Sequence, residues 1–148
     1  MAELEKKRVL LVDPDHKVIA RVGERLWEEN FVVDSTATER GALLRLREFC
    51  PQVLVSNVGA IDGEELCRQA VKYGAPVTLL AYPAGTGDAA RRAEACGADG
   101  FLVGQLEPFS VANCVRWATR LRELERRVGE LQRAADQGAL EPARGSGE

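Results

Sequence analysis

The 148-residue chain is 45% hydrophobic and 29% charged, a balance that suits one soluble globular domain plus an extension. Its formal net charge of -3 gives no electrostatic reason for nucleic acid as a main partner. Four widely spaced cysteines with no CxxC pair, one histidine (His16) and no long apolar run argue against a zinc site and a membrane span, so the expectation is a cytoplasmic protein with reduced thiols, no metal, no cofactor and no membrane partner.

Short apolar runs alternate with helical patterns along the chain. The first run, Val9-Leu10-Leu11-Val12, reads as a strand, and Val18, Ile19, Val22, Leu26 and Trp27 then mark one face of a helix ending near Asn30. Phe31-Val32-Val33 is the second run. Thr36-Ala37-Thr38-Glu39 has the form of a capping box and opens a helix whose inner face is expected to carry Leu43, Leu44, Leu46 and Phe49. Pro51 stops it. Val53-Leu54-Val55 is a third strand ending at Ser56-Asn57. Gly63-Glu64-Glu65-Leu66 starts a third helix, closed by Gly74 and Pro76. Val77-Thr78-Leu79-Leu80 is the fourth strand. Asp88 is placed to cap a short helix rich in Ala and Arg, Ala89 to Ala95, that covers little apolar surface, so this side of the domain is expected to be thin or mobile. Phe101-Leu102-Val103 is the fifth strand, and Ser110 is placed to cap the fifth helix. Strands of three to five apolar residues suit burial on both faces. Strict alternation of strands and helices predicts an α/β fold with a parallel sheet covered on both sides.

The fifth helix continues beyond the length that one domain needs. Cys114, Trp117, Leu121, Leu124, Val128, Leu131 and Ala135 follow the 3-4 spacing of an a/d seam. Arg120 and Arg127 then fall at g, and Glu125 and Gln132 at e, so a parallel dimer would set Arg120 against Glu125 of its partner. The competing reading is one amphipathic helix whose early part packs on its own sheet. The arginines between 116 and 133 are interleaved with Glu123, Glu125 and Glu130, a pattern of a solvated helix face and not of a nucleic-acid patch. The expected organisation is a domain over 7–120, a helical extension over 121–136 and a disordered tail over 137–148, rich in Gly, Pro, Ser and Glu.

Leu10-Leu11-Val12-Asp13-Pro14-Asp15, the strand ending at Asn57, Asp62-Gly63 and Gly97-Ala98-Asp99-Gly100-Phe101-Leu102 together resemble the receiver domain of two-component response regulators, over roughly residues 7 to 120. The resemblance implies a doubly wound, flavodoxin-like fold with sheet order 2-1-3-4-5. It also implies a site of two adjacent acids that bind Mg²⁺, an acceptor aspartate, a hydroxyl residue and a lysine. Asp13 matches the first acid, but Pro14 stands in place of the second, and Asp15 next door reads as a turn or cap residue. Asn57 stands in place of the acceptor; an amide has no anionic oxygen with which to attack phosphorus. Ser56 faces the other side of the strand. Ala81 stands in place of the hydroxyl residue, with Tyr82 beside it. Gly104, or Glu107 if the following Pro108-Phe109 sets the alignment, stands in place of the lysine.

Four of five functional positions are therefore changed, which implies a pseudo-receiver: a non-catalytic signalling or scaffold module that works by protein–protein interaction. Its partners would be signalling proteins, met through the surface of the fourth helix, fifth strand and fifth helix, or through the C-terminal helix, which would form a homodimer or dock on a partner. Two alternatives stand beside it. One is a conventional phosphorelay receiver with an atypical acceptor, for which Asp62 is the only nearby carboxylate. The other is a small-ligand binder on the same fold, using the pocket of Asp13, Asn57 and Ala81. No Ser-His-Asp set and no DNA-binding output module is recognisable in the chain.

Overall fold

In the computed structural model, which describes residues 6–145 and side chains as far as residue 138, the elements alternate along the chain. They are β1 (Arg8–Val12), α1 (His16–Glu28), β2 (Val32–Thr36), α2 (Glu39–Phe49), β3 (Val53–Asn57), α3 (Gly63–Ala70), β4 (Val77–Tyr82), α4 (Ala89–Ala95), β5 (Gly100–Val103) and α5 (Pro108–Gly145), with a single 3-10 turn at Val71–Tyr73 after α3. The five strands form one parallel sheet in the order β2-β1-β3-β4-β5. The chain divides into two compact units, Met1–Ala118 and Thr119–Glu148.

The first unit has a core on each face of the sheet, because side chains alternate along every strand. Val9, Leu11, Val53, Val55 and Leu79 point to the face covered by Val18, Val22 and Leu26 of α1 and by Val111, Ala112 and Val115 of α5. Leu10, Val12 and Leu54 point to the other face, under Ala42 and Leu46 of α2 and Leu66 and Ala70 of α3. Leu80 and Tyr82 complete that side beneath Ala89 and Ala93 of α4. Gly63 marks the closest approach: a Cβ there would lie 2.3 Å from the Asn57 carbonyl oxygen and 2.9 Å from Ser56 Oγ, so only glycine lets α3 begin against the end of β3.

Several expectations are corrected. Burial on both faces holds for β1, β3 and β4 but fails for the edge strands: β2 begins at Val32, one residue later than the apolar run, and Val32, Phe101 and Val103 are exposed. Trp27, expected on the inner face of α1, is 70% exposed. Leu43 and Leu44, expected on the inner face of α2, are 39% and 47% exposed; Ala42 and Leu46 take the inward positions. The cap of α2 is Thr38, whose Oγ1 accepts the Gly41 N–H at 3.0 Å, and Glu39 accepts the Asp62 N–H at 2.7 Å instead of closing a box on Thr36. Asp88 stands at the N-cap of α4 without a side-chain cap bond. In α5, Pro108 is the first helical residue, and the carboxylate of Glu107, not Ser110, takes up the free N–H groups of Phe109 (3.1 Å) and Ser110 (2.8 Å). Cys114 and Ala118 pack on the core of the first unit, so the exposed stripe of α5 starts at Trp117. α5 is helical to Gly145, so the disorder expected from residue 137 is corrected over 137–145; residues 146–148 of the expected tail lie outside the described residues. Among the described residues no helix is long and apolar enough to cross a membrane.

Candidate functional site

The C-terminal ends of parallel strands leave unpaired loops side by side, and ligand sites of doubly wound folds form there. The register sets Val12 beside Ser56 and Asn57 beside Ala81, so Asp13, Asn57 and Ala81 follow one another across the sheet. They line a cleft of about 320 Å³ together with Asp15, Gly104 and Gln105.

Asp13 is only 5% exposed. Its Oδ1 accepts the Asp15 N–H at 2.8 Å. Burial raises its pKa above the ordinary 3.8, and the neighbouring Asp15 charge adds to the effect; the Asp15 N–H and a hydrogen bond from the Asn57 side chain act the other way. The acid is thus a buried charge held by two donors. Asp15 itself caps α1, its Oδ1 accepting the Lys17 N–H at 2.9 Å.

Asn57 fits between two partners. Its Oδ1 accepts the Ile61 N–H at 3.4 Å, which leaves its NH₂ group for the Asp13 carboxylate. A neutral amide therefore supplies to Asp13 the donor that would otherwise have to be a cation or water. Ser56, fully buried on the opposite face, donates its hydroxyl to the Asn57 carbonyl at 3.1 Å and takes no part in the cleft. Ala81 is buried and presents only a methyl group. Gly104 has φ +96°, a backbone that favours glycine, and its N–H donates to the Tyr82 carbonyl at 2.9 Å. Glu107 is turned to the start of α5, where the backbone N–H groups of Phe109 and Ser110 hold its carboxyl below the ordinary range. Neither position brings a basic side chain to the cleft, and none of the lining residues is Lys or Arg.

A divalent cation does not fit this donor set. Mg²⁺ asks for near-octahedral oxygen ligands from one or two carboxylates. Here Pro14 has no side-chain oxygen, Asp15 turns one carboxylate oxygen to the cap of α1, and Asn57 is neutral, so Asp13 is left without the second acid and the acceptor carboxylate that would share the cation. Among the described residues no three His, Cys, Asp or Glu side chains gather in a metal-binding group. Asp62 does not line the cleft: it caps α3, accepting the Glu65 N–H at 3.0 Å.

One cluster was not legible in the sequence. Glu64 of α3 accepts two hydrogen bonds from the Arg92 guanidinium of α4, at 3.0 and 2.9 Å, and a third from the Tyr82 hydroxyl at 2.9 Å. Arg92 also lies over the Tyr82 ring, 5.1 Å from its centroid. The Arg92 bond is the chief cause that lowers the Glu64 pKa, while burial and then Glu64 raise that of Tyr82. Tyr82 is thereby fixed at the end of β4, and α4, expected to be loosely held, is fastened to α3.

No protein-family model matches the chain. Over 125 residues, 82% of this chain, it is 30% identical to the transcriptional regulatory protein CutR of Streptomyces coelicolor and equally to that of Streptomyces lividans. The chain's match spans 54% of those relatives' length. Among solved structures it is similar to a response regulator receiver domain protein (CheY-like) from Methanospirillum hungatei, with a TM-score of 0.73, 18% identity, and coverage of 82% of this chain and 99% of that one. It is also similar to the signal receiver domain of a putative Luxo repressor protein from Vibrio parahaemolyticus, with a TM-score of 0.74, 20% identity, and coverage of 84% and 98%. The beryllofluoride-activated DrrB receiver domain aligns with a TM-score of 0.69 and 19% identity over 78% of this chain and 99% of that one. These likenesses establish the α/β receiver fold.

Proposed function

We propose that the chain, whose fold is that of receiver domains, is a response regulator receiver-like module of the pseudo-receiver kind, a two-component signalling module that acts by protein–protein contact and takes no phosphoryl group. The observation that carries this reading is the Asn57 amide, hydrogen-bonded to both Asp13 and the Ile61 N–H. It puts a neutral amide where phosphoryl transfer needs an anionic nucleophile. With Ala81 and Gly104 alongside, an incoming phosphoryl group would meet no hydroxyl and no ammonium. The atypical-acceptor alternative needs Asp62, which is spent on its cap outside the cleft.

Contact with partners is proposed through two surfaces. One is the α4-β5-α5 face, where Phe101 and Val103 stay exposed because α4 is only seven residues long. The other is the stripe Trp117, Leu121, Leu124, Val128 and Leu131, each half or more exposed. Leu at 124 and 131 (d) and Val128 (a) suit a parallel two-stranded seam, and Arg120 facing the partner's Glu125 would set its register.

The test is incubation of the full chain with acetyl phosphate and, separately, with beryllofluoride and Mg²⁺, read by intact mass and by light scattering on a sizing column. The expected result is no added phosphoryl mass, no response to beryllofluoride, and a dimer that becomes a monomer in Leu124→Arg. A phosphoryl adduct released by hydroxylamine, that is an acyl phosphate on Asp13, Asp15 or Asp62, would overturn the reading.

A further inference from the structure

Helix α2 has two stripes where a helix covering a sheet needs one. Ala42, Leu46 and Phe49 face the core. On the opposite side Arg40, Leu43, Leu44 and Arg47 follow the i, i+3, i+4, i+7 spacing that puts four residues on one face. Both leucines are open to solvent, and with the two arginines, Thr38 and Gly41 they line a shallow hollow of about 520 Å³, larger than the cleft at the strand ends.

The charges of this face are uncompensated. Arg45 on the flank of the same helix pairs with Asp34 at 3.1 Å, whereas among the described residues Arg40 and Arg47 meet no carboxylate. The acids adjacent in sequence are Glu39 beside Arg40, which accepts the Asp62 N–H, and exposed Glu48 beside Arg47, which as an immediate neighbour projects about 100° round the helix from it. Arg40 and Arg47 stand about 10 Å apart along the axis, two helical turns, with a leucine to either side of the line between them.

We propose that this face docks an acidic amphipathic helix of another protein, whose apolar residues would sit over Leu43 and Leu44 and whose carboxylates, two turns apart, would pair with Arg40 and Arg47. Helix-in-groove recognition uses this combination of apolar anchors and flanking charge. A second copy of the chain does not fit, because a two-fold contact of α2 on α2 would set arginine against arginine. A lipid surface fits poorly, since two leucines bury far less than a membrane-surface helix requires. The proposal is independent of whether the receiver cleft accepts phosphate.

The probe is a fluorescein-labelled synthetic helix of about four turns, with a leucine stripe flanked by two glutamates seven residues apart, and a twin with lysines in their place. Fluorescence anisotropy with the full-length protein should show the Glu peptide binding at least about tenfold more tightly than the Lys peptide. Arg40→Glu/Arg47→Glu should reverse that preference, and Leu43→Ser/Leu44→Ser should abolish binding of both while leaving the circular dichroism unchanged. The preference reversal cannot come from misfolding. Failure to bind the Glu peptide, equal binding of the two peptides, or no reversal would overturn the proposal. So would Leu43- and Leu44-dependent self-association in sedimentation, or tighter binding to phosphatidylcholine vesicles with about one third phosphatidylserine than to the Glu peptide.

Discussion

Replacing the buried acid tests whether the cleft is a remnant or a working site. In Asp13→Asn the side chain keeps its shape and one acceptor oxygen for the Asp15 N–H, now at 2.8 Å from Asp13 Oδ1. What disappears is a negative charge in a position only 5% exposed, where burial is the largest influence on its ionisation. Displacement of a pKa by one unit corresponds to about 1.4 kcal/mol. With the charge removed and one hydrogen bond to the Asn57 amide weakened, the variant should be more stable at neutral pH by about 0.5–1 kcal/mol. The sign follows from linkage. The Asp13 pKa is raised in the folded state, so the folded protein binds the extra proton more readily than the unfolded chain. Its contribution is favourable at low pH and is lost as pH rises through the folded value. The advantage of Asp13→Asn should therefore be largest near neutrality and close as pH falls toward the ordinary carboxylate range. Urea unfolding at about pH 7 and about pH 4, with and without millimolar Mg²⁺, measures both effects. A variant less stable than the parent at neutral pH, a gap that widens on acidification, or Mg²⁺ that stabilises the parent and not the variant would each refute the reasoning and restore a cation site.

Three further outcomes are expected. Glu64→Gln, which leaves the Arg92 guanidinium without its carboxylate, should lower the urea midpoint modestly, because Arg92 is open to water and the pair is screened. It should also move the Tyr82 ionisation down toward the ordinary phenol range in an ultraviolet pH titration; an unchanged tyrosine titration would mean that Glu64 has little hold on the hydroxyl. Gly63→Ala should lose about 1–3 kcal/mol by forcing a Cβ against the Asn57 carbonyl, and a variant as stable as the parent would show that α3 can shift away freely. Iodoacetamide in the native state should label exposed Cys50 first and leave Cys67, buried and with its thiol pushed up to about 12, unreacted until the protein unfolds; mass spectrometry of time points reads the order.

What the sequence made legible, and what it hid, divides by sequence distance. The central strands were readable because β1, β3 and β4 are buried on both faces and leave uninterrupted apolar runs. Asp13, Asn57 and Ala81 were readable as neighbours because each ends such a run, and a parallel register lines up strand ends. The edges were not: one residue decided whether Phe31 or Val32 began β2, and periodicity does not say which sheet faces lie uncovered. Helical spacing likewise gave α2 four candidate inward residues. Leu43 and Leu44 were mistaken for core because small Ala42, which fills the contact, is a weak signal. The cap of α5 was missed because Glu is an uncommon choice there, although Pro at the first helical position marks the start. The Glu64–Tyr82–Arg92 cluster joins residues 18 and 28 positions apart, beyond the reach of any local pattern.

That cluster gives α4 an unusual kind of order. Seven residues make two turns, and a helix shorter than about 12 residues does not hold its own hydrogen bonds in water. Its two small inward side chains, Ala89 and Ala93, add little apolar burial. The segment therefore depends on what it is fastened to: Glu64 through Arg92, and the buried contacts of Ala89, Ala93 and Cys96 with the end of β4 and with Cys67. In amide exchange its N–H groups should open with the start of α3 as one cooperative unit, not by fraying from their own ends. Whatever draws Glu64 away from Arg92 would leave this edge of the domain resting on two alanines and a cysteine, so the edge beside β5 should be the first part of the sheet's cover to open.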